Sequence, residues 1–543
     1  MNPLDQPLHA CHALVVDGQP ISRSTLASML RAVGVGQVST CNRPAEAQRL
    51  IGERQFDFVL CEQRFDTGEL GGQELLDELR RTRSLPFWTV FIIVTSEATY
   101  AMVTEAAESS LDGYLVKPAT TAALGERLGQ ARRRKQALQD IFRYIDAGRL
   151  EQAALMCLKR FTDRSEYWLY AARIGGDVLL RLGKPQSARK FFEAVLEARQ
   201  VPWASLGIAR ADADVGQIQQ ARRTVEQLVQ EFPTFADGHD LLGRFHVDQG
   251  DFASALVTYR TACTLTPRSL TRLEKLGTLA FYTGDLAEAE EVLDRTVTLD
   301  AQSRMFDLQT LALLACLKFA RGDNQGLTRM HQRLGVVQRR HPDSKRVQRL
   351  AALGDLLRHA AIADDHQSAR AELQDMASQR RDDDFDVEAG SNLIALIARL
   401  KTRGVDVPET QDWGRELGLR FCVSNAATDL LCGAARGQEE LQATLRQAHV
   451  DINDACEQAV RRSLIDQPEA AVQSLLLQGG ETLNARVIEL AGRLLQRHGA
   501  AIGAAAGDLS RQAERLRQRY CPNGTRLPIT DRGREAGALA LNF

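Results

Sequence analysis

At 543 residues the chain exceeds what one compact core accommodates, so three or four units, or one domain followed by an array, are expected. Its 68 basic and 70 acidic residues cancel to a formal charge of −2, which removes the field that would draw a polyanion or an anionic bilayer; no nucleic acid and no membrane partner is expected. A hydrophobic content of 44% excludes disorder, the start MNPLDQPLHACH lacks a charged head before an apolar core, and no apolar run approaches about 18 residues, so an unprocessed cytoplasmic chain is expected.

The elements begin with Ala13 to Asp17 (ALVVD), an apolar run ending in an acid, followed by helical spacing of Leu26, Met29 and Leu30 over Ser22 to Arg31. A weak strand at Gln37 to Thr40, a helix at Ala45 to Gly52, the strand FDFVLCE at Phe56 to Glu62 and a helix at Gln73 to Arg81 come next. A strand at Val90 to Thr95, a helix near Tyr100 to Glu108, a strand at Tyr114 to Val116 and a helix from Thr121 complete the unit. Strands alternating with helices predict an α/β doubly wound domain, a parallel sheet covered on both faces. In such a sheet the strand ends form the ligand crevice, and the polar residues fall there: Asp17, Glu62, Thr95 and Lys117. One strand-end acid or lysine means little; four at consecutive strand ends are specific.

These residues resemble the receiver domain of bacterial response regulators over roughly 11–130, in LVVD with Arg23 following, FDFVLCE, GQELL at Gly72 to Leu76, VTSEA at Val94 to Ala98, and GYLVKP at Gly113 to Pro118. The resemblance implies a flavodoxin-like fold in which an Asp ending strand three accepts a phosphoryl group, two acids after strand one hold Mg²⁺, and Thr95, Lys117 and the aromatic Tyr114 serve as phosphoryl-oxygen and switch positions. Two positions depart from the pattern: Gly18 stands where the second acid belongs, and Glu62 where the acceptor Asp belongs. Mg²⁺ is held by one or two carboxylates plus waters and phosphate, so losing one should leave its binding weak or absent, with no resident cofactor expected. The extra methylene of Glu62 moves its carboxylate by about a bond length, and a displacement near 1 Å can cost about two orders of magnitude in rate where geometry is the catalyst. The pocket is therefore expected not to turn over. Glu62 could instead reach Lys117 and the Thr95 hydroxyl, standing in for a phosphorylated Asp and fixing the switch. Phosphorylation at Asp66 in the next loop and a purely structural relic are the weaker alternatives.

Arg132 to Lys135 (RRRK) closes the last receiver helix and reads as a solvated linker helix rather than a nucleic-acid patch. Beyond it a period appears. Gly148, Gly183, Gly216, Gly250 and Gly284 recur at 33 to 35 residues, each followed five residues later by Ala153, Ala188, Ala221, Ala255 and Ala289. A Gly that turns the chain and an Ala where two helices approach closely define a repeating helical pair. The pattern resembles the tetratricopeptide repeat, clearest over Ala236 to Pro267 and again from Leu270. That resemblance implies an all-α superhelical solenoid binding a protein or peptide on the concave face of its first helices. Carried over, the face comprises Trp203, Arg210, Asp237, Asp240, Arg244, Glu274, Thr278 and Tyr282, each of which could equally be plain solvated surface. Their mixed charge suits a peptide or helix, not RNA.

The expected organisation is an N-terminal extension at 1–10, the receiver-like domain at 11–130, tetratricopeptide repeats at 131–303, degenerate helical repeats at 304–381, a C-terminal helical region at 382–518 and a flexible tail at 519–543. No catalytic residue and no metal ligand set is expected: ten scattered His form no H-x-x-x-H pair, and neither a P-loop nor a nucleophile elbow occurs. The function expected is a cytoplasmic signalling adaptor in which a phosphorylation-independent receiver regulates or positions a protein-binding solenoid. The alternative is a phosphorylatable response regulator with a protein-interaction output. A signalling partner of the receiver and a homodimer through its fourth helix, fifth strand and fifth helix are what the resemblance allows.

Overall fold

The computed structural model describes residues 3–65, 71–82, 84–96, 112–300, 306–363, 365–405, 407–465, 467–521 and 524–525. Five parallel strands, β1 (His12–Val16), β2 (Gln37–Cys41), β3 (Phe58–Glu62), β4 (Val90–Thr95) and β5 (Gly113–Val116), pair in the order β2-β1-β3-β4-β5. That flavodoxin-like order reverses direction between β1 and β3 and opens a crevice at their C-terminal ends. Alternation along each strand builds two apolar layers. Val15, Leu60, Ile92 and Val94 face helices Pro20–Val33 and Thr121–Ala137; Val16, Val59, Phe91 and Ile93 face the layer of Leu75, Leu76 and Ile51. The helix expected near Tyr100 to Glu108 and the alternative acceptor Asp66 lie outside the described residues.

Three of the four cations of RRRK are not those of a solvated linker, while Arg133 stays exposed. Lys135 is 3% exposed, 2.9 Å from Asp112 Oδ2, and donates to the carbonyl oxygens of Phe87 and Thr89. Arg134 reaches Asp112 Oδ1 at 3.1 Å and covers the Tyr170 ring, while Arg132 Nε donates to Leu4 O at 2.9 Å. Phe87 stacks on Phe142 of helix Gln139–Asp146. Packing at this joint buries Lys135 and partly buries Arg134, and Asp112, at the foot of β5, compensates both. Burial pushes the Lys135 ammonium down to about 8, with the Asp112 charge opposing.

Helical pairs follow, among them Trp168–Arg181 with Pro185–Ala198, Pro202–Asp214 with Ile218–Glu231, Ala236–Gln249 with Phe252–Leu265, and Leu270–Thr283 with Leu286–Asp300. The five periodic glycines have φ between +65° and +94°, the left-handed turn that the spacing requires. The five periodic alanines are fully buried. Gly322 repeats the turn at φ +73°, but the position five residues on is Leu327, also fully buried, so the period blurs in side-chain size while the backbone pattern continues. From Val387 the helices stop extending the outer wall. Leu393, Ile394, Ile397, Leu430 and Leu431 join Leu273, Leu276, Leu313 and Leu314 in one core, placing helices Val387–Thr402 and Asn425–Ala434 against the inner side of the array.

Candidate functional site

Asp17, immediately after β1, is fully buried, because three donors replace water: Gln19 N at 2.8 Å, Ser22 Oγ at 2.6 Å and Lys117 Nζ at 2.9 Å. Arg23 Nη1 donates to the Asp17 carbonyl at 2.6 Å, tying the helix start to the strand end. Glu62 closes β3; its Oε2 accepts a short hydrogen bond from Lys117 and its Oε1 accepts from Gln63 N at 3.1 Å. Lys117 follows β5, and its backbone N–H donates to the Thr95 carbonyl at 2.7 Å. Thr95 is buried at the end of β4, and Tyr114 packs half-buried against the second apolar layer. The four strand ends thus converge, with the lysine between two carboxylates.

Burial would lower the Lys117 ammonium, but hydrogen bonds and charge from Glu62 and Asp17 outweigh it, and the net shift is upward. Glu62 does not answer as a simple ion-pair partner: burial pushes it above 4.5, Lys117 pulls it back, and the Asp17 charge adds to the rise. The geometry of two acceptors on one ammonium identifies Lys117 as the charged partner, neutralising a crevice with two acids in it.

These residues do not fit Mg²⁺. A Cβ at Gly18 would approach nothing nearer than Phe65 at 3.7 Å, so the missing acid is a matter of residue identity, not space. The Lys117 ammonium lies against both remaining carboxylates, and among the described residues no cluster of three acidic, His or Cys side chains could hold an ion. Ser22 and Gln19 were not singled out from the sequence; a hydroxyl at a helix start five residues beyond a strand-end acid was the available signal.

The eight solenoid positions fall into a hydrogen-bonded, buried group and a partly exposed one. Arg210 Nη1 donates to Asp177 at 2.7 Å, and both are buried. Asp237 and Asp240 accept from Arg272 at 2.9 and 2.7 Å. Glu274 accepts from the Asp307 backbone at 2.7 Å, and Tyr282 Oη shares a hydrogen bond with Ser391 Oγ at 2.7 Å. Each of these five links one repeat to the next or to the C-terminal helices. Asp177, Arg272 and Asp307 were not anticipated, because each meets its partner on a neighbouring helical pair. Trp203 is half-buried, edge-on to Phe192. Arg244 and Thr278 keep partial exposure and line two openings. Arg244, with Leu241, Phe245, Asp248, Arg486 and Arg493, borders a cleft of about 410 Å³; Thr278, with Glu274, Tyr282, Glu388, Ser391 and Leu430, borders a cavity of about 50 Å³.

The sheet order and the converging acid, threonine and lysine define a phosphoryl-signal receiver fold, whatever chemistry its crevice retains. Residues 13–129 match the response regulator receiver domain, and residues 179–245 match the tetratricopeptide repeat. The chain belongs to the response regulator receiver family. It is 30% identical over 115 residues to chemotaxis protein CheY-3 of Vibrio cholerae, covering 21% of this chain and 86% of that protein. To chemotaxis protein CheY of Pseudomonas aeruginosa it is 28% identical, covering 21% of this chain and 90% of that one. A LuxR-family response regulator from Staphylococcus aureus is a structural neighbour at 19% identity and TM-score 0.21, covering 22% of this chain and 98% of that one. The receiver domain of a diguanylate cyclase from Desulfovibrio desulfuricans aligns at 24% identity and TM-score 0.21, over 23% and 97%. No helix among the described residues is long and apolar enough to cross a membrane.

Proposed function

We propose that the chain is a cytoplasmic signalling adaptor whose receiver is a fixed setting rather than a phosphorylation timer, coupled to a solenoid that holds another protein. The observation that carries this is Lys117 shared between Asp17 and Glu62. A phosphoryl group would have to be accepted by a misplaced carboxylate already neutralised by the lysine that ought to bind its oxygens, with no acid at Gly18 to complete a metal site. The joint of Asp112 with Lys135 and Arg134 supports coupling, because the strand that carries Lys117 at one end meets the array at the other. Ten buried thiols agree with a reducing compartment.

Treatment with a small acyl phosphate and Mg²⁺, followed by intact mass, tests the reading. The expected result is no phosphoryl adduct on the natural chain and an adduct on the Gly18→Asp, Glu62→Asp double variant. An adduct on the natural chain supports the second reading, an authentic response regulator, which the receiver family match favours.

A further inference from the structure

Helix Asn324–Arg340, the outer member of its helical pair, holds four arginines and no carboxylate in its 17 residues. Cations next to it are paired: Lys318 and Arg321 reach Glu290, and Arg346 reaches Asp307 and Glu388. Its inner face is buried through Leu327, Met330 and Leu334, and His331 turns toward Asp355 of helix Lys345–Arg358 at 3.3 Å. The opposite face is left to solvent. There Arg329, Arg333, Val336 and Arg340 follow at i, i+4, i+7 and i+11 with Arg339 beside them, and all five are exposed, Val336 to 39%. Among the described residues none of the four guanidiniums enters a salt bridge. Cations at i and i+4 repel one another along a helix. Arg339 and Arg340 recover part of that repulsion at the carbonyl end of the helix dipole, but Arg329 and Arg333 stand in mid-helix, beyond its last turn. Local energetics accounts for two of the four and not for the others.

We infer that this outer ridge is a docking surface for an acidic helix of a partner protein, one with carboxylates at i, i+4 and i+11 and an apolar residue at i+7. The row runs about 17 Å, three turns of helix at about 1.5 Å per residue. Its charge selects an anion, and its shape selects protein over nucleic acid. Val336 stands among the guanidiniums as an apolar centre within a charged rim, the arrangement of a protein interface, and it offers a phosphate backbone nothing. The row is one helix wide on a chain of formal charge −2, a narrow field for a duplex that carries a charge about every 1.7 Å. All four cations are arginine, whose planar fork pairs a carboxylate through two hydrogen bonds where lysine makes a point contact. The ridge faces away from the inner side of the array, where helices Val387–Thr402 and Asn425–Ala434 pack. It rests on the reading of the solenoid as the part that holds another protein, and names an outer surface and the chemistry of what is held.

The experiment uses the full chain and two labelled synthetic peptides of one composition, with binding read by fluorescence anisotropy. One peptide carries Glu at i, i+4 and i+11 with Leu at i+7 in an alanine-rich helix; the other spreads the same residues evenly around the helix. At about 50 mM salt the patterned peptide should bind about tenfold or more tighter than its isomer, and its binding should fade near 1 M, where the Debye length falls to about 3 Å. The double variant Arg329→Glu, Arg333→Glu should weaken the patterned peptide about tenfold or more, and Val336→Ser about threefold. Both should keep the natural circular dichroism spectrum, since the replaced side chains are exposed. No binding of the patterned peptide, equal binding of the two peptides, or binding that survives the double variant overturns the inference. A short DNA duplex that binds more tightly than the patterned peptide, and is released by the double variant, overturns it in favour of nucleic acid. A phosphoryl adduct in the mass experiment defeats the fixed receiver alone and leaves the ridge untouched, so the two failures are distinguishable.

Discussion

The receiver crevice and the inner face of the solenoid both gather two acids on one cation, yet the first pairing closes a single crevice and the second ties one repeat to the next. In the crevice, Lys117 pairs with Asp17 and Glu62, joining the ends of three strands of one sheet. On the solenoid, Asp237, Asp240 and Arg272 sit one repeat apart and bind each other. Polar residues at a sheet's strand ends face a ligand crevice by topology, whereas polar residues at one repeat's inner face can face either a ligand or the next repeat. The comparison teaches that periodic polarity in an array is evidence of stacking before it is evidence of binding.

The largest effect that could break this contrast is at Arg272. Replacing it with Ala leaves the buried Asp237 and Asp240 carboxylates without their main donor and should cost about 3–5 kcal/mol in urea unfolding. A loss below about 1 kcal/mol would return these residues to the ligand surface. Lys135→Ala should cost somewhat less, about 3 kcal/mol, because Arg134 still holds Asp112.

The same joint has an acid signature. Asp112 is held below 3.8: burial alone would raise it, but Lys135, Arg134 and Arg80 together outweigh that. A depressed carboxyl contributes stability that is present above 3.8 and lost as pH falls through its lower folded value, so thermal unfolding of Asp112→Asn should lose less between pH 5 and the acid limit than the natural chain does. Equal acid slopes in the two proteins would remove Asp112 from the joint.

Smaller effects sharpen the comparison at the rims. Glu62→Gln removes a charge that burial already disfavours and leaves Lys117 on Asp17, so its cost should stay near 1 kcal/mol by calorimetry. Arg244→Ala removes an i,i+4 pair with Asp248 at 3.7 Å on a partly exposed surface and should change stability by less than about 1 kcal/mol. A large loss there would mean that Arg244 belongs to the inter-repeat network and not to the cleft it borders.

Much of the receiver was legible because short apolar runs ending in polar residues leave few alternatives in a parallel sheet. The strand expected from Phe56 begins at Phe58, a boundary shift that leaves Glu62 at the strand end. The array was legible where Gly and Ala have no substitute, at a left-handed turn and at a close helix contact. It was not legible at Lys135, where a run of cations on a helix looks solvated until another element supplies Asp112 and the Phe87 carbonyl.

By itself the amino-acid sequence determined the receiver topology, the four converging strand ends, the two departures at Gly18 and Glu62, and the repeat period, since each follows from local patterns that only one backbone arrangement satisfies. Tertiary structure alone decided that Lys117 bridges both acids, that Arg210 and Arg272 pair across repeats, and that helix Asn425–Ala434 returns to the inner face. Those contacts join residues up to about a hundred and fifty positions apart, as Arg436 on Tyr282 shows. Distance in the chain carries no local signature, because the free energy that selects such contacts is shared among every surface they bury together.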